Sequence, residues 1–111
     1  MSEDETALLQ QMVKTIVREV DPETIILFGS RARGEARPDS DVDLLIIERE
    51  PFRPGRSRMQ ESVRLYRALA EMPLSMDLLL YSRTEAEHWR GARNHVIARA
   101  FREGRVLYGA A

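Results

Sequence analysis

The chain is 111 residues long, 43% hydrophobic and 32% charged, a composition that reads as one globular domain rather than a disordered chain. It carries 17 Lys and Arg against 18 Asp and Glu, for a net charge of -1, which argues against extended, sequence-independent nucleic-acid binding because that needs a cationic excess. Cysteine is absent, which excludes disulfides and thiolate metal sites, and no apolar run approaches the ~20 residues of a membrane span.

In chain order, Ser2 followed by Glu5 has the spacing of a capping box. Leu8, Met12, Ile16 and Val20, with Leu9, Val13 and Val17 beside them, form one wide apolar stripe. They predict a helix to about Val20, ended by Asp21-Pro22. Thr24 to Phe28 is short, apolar and β-branched and predicts a buried strand, broken by Gly29-Ser30. Residues 31–40 are polar, with Gly34 and Pro38, and read as a loop with room for one helical turn. Asp41 to Ile47 predicts a second strand, its carboxylates alternating with Val42 and Leu44 before the run becomes wholly apolar.

Glu50 to Gly55 holds two prolines and a glycine and reads as a loop. Ser57 with Gln60 is a second capping-box pair, opening a helix that carries Met59, Val63, Tyr66 and Leu69 and stops near Met72-Pro73. Leu74 to Tyr81 predicts the third strand. Thr84 with Glu87 opens a short helix. A last helix, about Asn94 to Arg102, is expected to end at Gly104 as at a C-cap, and Arg105 to Tyr108 to form a short terminal strand. The order α-β-β-α-β-α-α-β predicts an α/β fold. It is a single small domain over residues 1–111, with a mixed sheet of about four strands and helices packed on it. That length leaves no room for a separate acceptor-binding domain, so a large acceptor is expected to be recognised by this surface or through a partner chain. The acidic start Met1-Ser2-Glu3-Asp4-Glu5 lacks the pattern of a signal peptide, so a cytoplasmic location is expected.

The stretch that carries chemistry is Gly29-Ser30-Arg31-Ala32-Arg33-Gly34, followed by Asp41-Val42-Asp43. Gly29 has no side chain, so a phosphate can approach its backbone closely. A helical turn starting at Ser30 would aim free N–H groups at that phosphate. Arg31 and Arg33 add donor forks suited to phosphate oxygens. Asp41 and Asp43 stand two apart on a predicted strand and so share a face, ~7 Å apart at their backbones. Paired carboxylates suit a hard cation such as magnesium, which keeps positions open for water and substrate phosphates. Asp77 lies in the otherwise apolar run Ser75-Met76-Asp77-Leu78-Leu79-Leu80, where a charge is costly unless it sits at a sheet surface or meets a cation. If the third strand neighbours the second, Asp77 joins the other two, and two metals could clamp the attacking and leaving oxygens of an in-line transfer. Taken singly, Gly-Ser after a strand is an ordinary turn and Asp-x-Asp an ordinary solvated strand face; their order and spacing together give them meaning.

That order resembles the polymerase-β-type nucleotidyltransferase superfamily: Gly-Ser, a spacer, Asp-x-Asp, then a third Asp on a later strand. The run Phe28-Gly29-Ser30-Arg31-Ala32-Arg33-Gly34 through Ser40-Asp41-Val42-Asp43-Leu44-Leu45, and the tail Glu103-Gly104-Arg105-Val106-Leu107-Tyr108, resemble its small prokaryotic branch, the minimal nucleotidyltransferases. The resemblance implies that Gly29 and Ser30 hold a triphosphate and that Asp41 and Asp43 bind two magnesium ions. It implies that Asp77 binds the catalytic ion and helps deprotonate the acceptor, and that one of Arg31 and Arg33 contacts phosphate. Many members of this branch are antitoxins paired with helical HEPN ribonuclease toxins. The implied activity is therefore adenylyl transfer from ATP to a toxin tyrosine. Two other readings stand beside it: a binding module that masks such a toxin without catalysis, and a small-molecule nucleotidyltransferase working with a helical partner subunit.

His88 and His95 have no third ligand at metal spacing and read as surface or packing residues. Trp89 reads as a core or partner-interface residue, with base stacking the alternative. The Arg49, Arg53, Arg56, Arg58 run reads as a solvated loop, a lip of the cleft or a contact for an acidic partner.

Overall fold

β1 (Thr24–Phe28) lies inside a four-stranded sheet, antiparallel to both β2 (Val42–Glu48) and β4 (Arg105–Tyr108). β2 in turn runs parallel to β3 (Met76–Ser82), giving the order β3-β2-β1-β4. In this computed structural model, which describes residues 3–37 and 40–110, β1 and β2 are nearly all buried. Helices lie on both faces, which is why these strands read as continuous apolar runs and not as alternating ones.

The helices are α1 (Glu3–Val20), α2 (Gly29–Ala32), α3 (Arg58–Ala68), α4 (Arg83–Trp89) and α5 (Val96–Glu103). Leu9, Met12 and Ile16 of α1 and Leu65 of α3 pack on Ile25, Leu27, Leu44, Ile46, Leu78 and Leu80, which form one face of the sheet. Ala86 of α4 and Ile97 and Ala100 of α5 pack on Ile26, Leu45 and Ile47, with Leu79 and Tyr81 beside them, on the other face. Residues of odd and even number in β2 therefore point to opposite layers, as the strand pleat requires. The predicted small α/β fold, a mixed four-stranded sheet with helices packed on it, is what forms.

Local differences from the sequence reading have identifiable causes. β2 begins at Val42 and β3 at Met76, joined at their starts by a Val42 N–H to Ser75 carbonyl bond of 2.9 Å. The helical turn after β1 starts at Gly29, one residue before Ser30. The Ser57–Gln60 capping box is present. The next helix, however, is capped by Ser82 with Glu85, not by Thr84 with Glu87, because Ser82 still has the extended backbone of the strand end that an N-cap needs. The last helix starts at Val96, where the His95 ring nitrogen Nδ1 accepts the Ile97 N–H at 3.1 Å. Gly104 has an ordinary negative φ of -85°. Glycine is required there for space, since a Cβ would stand 2.5 Å from the Ala100 carbonyl and 2.8 Å from that of Leu27. Ser2, the first proposed cap, lies outside the described residues.

Candidate active site

The C-terminal end of β1 and the N-terminal ends of β2 and β3 meet at one edge of the fold. Phe28 is the register partner of Asp43, and Asp43 is the register partner of Asp77. Asp43 shares its face with Leu45 and Ile47, and Asp77 shares its face with Leu79 and Tyr81, so both carboxylates rise on the side that α4 and α5 cover further along. Asp41, two residues before Asp43 and just outside the strand, is exposed, as is Asp77, while Asp43 is half-buried.

This arrangement has an electrostatic consequence. Burial pushes the Asp43 carboxyl above its usual range; the charges of Asp77 and then Asp41 add to that, while Arg31 and Arg33 oppose it. Three mutually repelling carboxylates with oxygen donors suit a hard divalent cation, which relieves that repulsion. Among the described residues no three ligating side chains stand grouped as a cation site.

Gly29 turns the chain out of β1 with φ +75°, a conformation that costs other residues roughly 1–2 kcal/mol. A Cβ at this position would fall on the Asp43 carboxylate, so space and backbone both demand glycine. The first turn of α2 therefore lies directly against the aspartate row. Ser30 is half-buried there, and its carbonyl accepts the Glu35 N–H at 2.9 Å.

The two arginines of the motif differ sharply. Only 4% of the Arg31 side chain is exposed. It donates to Glu5 Oε2 at 2.7 Å and, through Nε and Nη2, to the Ser40 carbonyl at 3.2 and 2.7 Å. Arg31 thus ties α1 and α2 to the residue immediately before Asp41. Arg33 stays near the surface, with 38% of its side chain exposed and an ion pair to Glu35 at 3.2 Å. The sequence did not single out Glu5 and Ser40 as partners of Arg31, since nothing local marks a contact 26 residues away.

The later arginine run is largely structural. Arg56 bridges Glu48 and Glu61 at 3.0 and 3.1 Å. Arg58 donates to the Leu80 carbonyl at 2.7 Å and pairs with Glu85 at 2.5 Å, its guanidinium lying over Phe52 and Tyr81. Arg49 holds the Asp21 carbonyl at 2.7 Å, and Arg53 pairs with Glu50 at the surface. Trp89 stacks on His95 with ring centroids 4.3 Å apart, and Tyr81 meets the His95 edge; these rings join α4, α5 and β3 away from the aspartates.

Residues 10–111 match the family described as "Polymerase beta, Nucleotidyltransferase". The chain is 36% identical over 78 residues to a Haemophilus influenzae protein named Probable protein adenylyltransferase MntA, covering 68% of this chain and 65% of that one. It therefore spans just under two thirds of the relative's length. Its fold is similar to that of a toxin–antitoxin crystallised with AMP-PNP, at TM-score 0.56 and 21% identity over 91% of this chain and 73% of that one. It is also similar to a Sulfolobus solfataricus chain assigned to the nucleotidyltransferases, at TM-score 0.60 and 18% identity over 93% and 78%.

Proposed function

The chain belongs to the polymerase β nucleotidyltransferase family, and from that premise we propose that it moves AMP from ATP, with magnesium, onto a tyrosine hydroxyl of a HEPN-type toxin and so acts as its antitoxin. One observation carries the catalytic part of the reading. The row Phe28–Asp43–Asp77 sets two carboxylates side by side at the strand end from which Gly29 departs, with Asp41 adjacent. The likeness to the protein named adenylyltransferase MntA and to the fold of a toxin–antitoxin supports the choice of nucleotide and partner.

In this reading Asp41, Asp43 and Asp77 hold the magnesium ions. When bound, such ions neutralise phosphate charge and favour the ionised form of an acceptor hydroxyl. The chain's own groups do the rest. Gly29 presents bare backbone to the triphosphate, and the Ser30 hydroxyl donates to a phosphate oxygen. Arg33, the more accessible of the two arginines, offers its guanidinium to the phosphates, while Arg31 fixes Ser40 and hence the position of Asp41. A tyrosine hydroxyl, with a pKa near ~10, is protonated at neutral pH. Asp77 accepts that proton as the oxygen attacks the α-phosphorus, the bond to the β-phosphate oxygen breaks, and pyrophosphate leaves. The adenylyl group added to the toxin places a new anion there, which repels an RNA substrate.

The test uses the co-purifying partner, magnesium and ATP, followed by intact mass of the partner. The expected result is a gain of whole adenylyl groups that disappears with Asp41→Asn. Neutralisation that persists in Asp41→Asn, with no mass gain in the wild type, would establish steric masking instead.

A further inference from the structure

Among the described residues, the outer face of α3 keeps an apolar stripe exposed. Met59 is 72% exposed, Val63 40% and Tyr66 39%, at the i, i+4, i+7 spacing of one helix face. Tyr66 leans to the sheet edge, where its hydroxyl accepts the Leu78 N–H at 2.9 Å. Met59 and Val63, with Ala68, line a groove of about 670 Å³ between α3 and the end of α1. Exposed side chains scattered singly are ordinary, but an apolar stripe rimmed by polar groups marks an interaction surface.

The rim has a definite sign. Arg18, Arg64 and Arg67 border the groove against one acid, Glu19. Glu19 is already shared between Arg18 and Arg64, each at 3.3 Å. The rim's own balance is cationic, three arginines to one acid, in a chain whose net charge is -1. A second copy of this chain fits poorly, because two-fold packing of like patches would set these arginines against one another. Complementarity instead calls for carboxylates beside an apolar ridge, and a ridge at i, i+4 spacing is what another helix presents to a groove.

We propose that the α3 groove is a docking surface for an amphipathic helix of a partner protein, with its apolar face on Met59 and Val63 and its acidic flank on Arg64 and Arg67. The surface lies on the α1/α3 layer, across the sheet from the aspartate face. A partner held here therefore leaves the candidate active site open.

The probe is a pair of short synthetic helices that share one leucine stripe, one flanked by glutamate and the other by lysine. Their binding to the full chain is read by fluorescence anisotropy at low and physiological salt. The glutamate helix is expected to bind more tightly, and to weaken as salt screens the rim. Val63→Asp should reduce its affinity by about tenfold or more, the equivalent of ~1.4 kcal/mol, with the helical circular dichroism unchanged. The double change Arg64→Glu, Arg67→Glu should reverse the preference toward the lysine helix. Equal binding of both helices, no binding of either, or indifference to Val63→Asp overturns the proposal. So does a concentration-dependent dimer of the chain alone that Val63→Asp dissolves, since the occupant is then a second copy.

Discussion

Asp43 and Asp77 are register partners on neighbouring parallel strands, and after burial the Asp77 charge is the largest influence keeping the Asp43 carboxyl protonated to higher pH than usual. A group whose folded pKa is raised supports folding at low pH and loses that contribution as pH rises through the folded value. At neutral pH the metal-free aspartate row therefore works against the fold. Asp43→Asn should raise the melting temperature of the metal-free protein, by on the order of a few degrees for a domain of this size, while abolishing nucleotidyl transfer. Thermal scans of both proteins in chelator, at pH 7 and pH 4, check this. The gain should shrink at pH 4, and an unchanged or lowered melting temperature at pH 7 contradicts the account.

Gly29 is closed to side chains by its φ of +75° and by the Asp43 carboxylate. Gly29→Ala should destabilise the chain by more than the roughly 1–2 kcal/mol of backbone strain, since the new Cβ also displaces the Asp43 carboxylate, and should weaken triphosphate binding beyond what that loss explains. Gly34 has a similar φ of +73°, but no described residue other than its chain neighbours lies within 4 Å of where its Cβ would stand. Gly34→Ala is thus the matched control, expected to carry the strain without the binding defect. Comparable nucleotide affinities in the two folded variants would separate Gly29 from the phosphate site.

Arg31 and Arg33 should part company on substitution. Arg31→Lys removes the fork that holds the Ser40 carbonyl with two donors, which an ammonium does not reproduce. It should lower stability by about 1–3 kcal/mol and reduce turnover through displacement of Asp41. Arg33→Ala should leave stability within ~0.5 kcal/mol and raise KM for ATP. Denaturant midpoints together with steady-state kinetics distinguish the pair; identical profiles for the two variants would contradict the division.

A second acidic pair lies at the far end of β2. Glu48 and Glu61 share Arg56 beside a cavity of about 390 Å³, and the Glu48 side chain is only 4% exposed. Burial, then the neighbouring Glu61, pushes Glu48 from 4.5 to about 7. Its stabilising contribution is complete below pH 4.5, declines between 4.5 and about 7, and is lost above. Glu48→Gln, which imitates the protonated form, should flatten the stability-versus-pH curve across that interval. An unchanged slope in urea titrations of the variant would assign the proton elsewhere.

The strands were legible because burial on both faces writes an apolar run that no local choice disguises: β1 was read at its actual ends, Thr24 and Phe28. The aspartate row was legible in part. Two-residue spacing put Asp41 and Asp43 on one face, but the adjacency of Asp77 depended on strand order, which the sequence left conditional. Helix caps were ambiguous wherever two capping pairs competed. Thr84 with Glu87 and Ser82 with Glu85 have the same spacing, and only the strand end at Ser82 decides between them. The division of labour between Arg31 and Arg33 was beyond reach, since it depends on Glu5 and Ser40 arriving from elsewhere in the chain. Gly104 was correctly placed at a helix end for the wrong reason: its neighbours Ile26 and Leu27 come from a strand far away in sequence.

Asp41, Asp43 and Asp77 are proposed together to make a magnesium-dependent triphosphate site. Calorimetric titration with a non-hydrolysable ATP analogue, with magnesium and with chelator, tests it most directly on the wild type and on the double variant Asp41→Asn, Asp43→Asn. Binding is expected in the wild type only when magnesium is present, and none in the folded double variant under either condition. Binding of equal strength in chelator, or in the double variant, would contradict it.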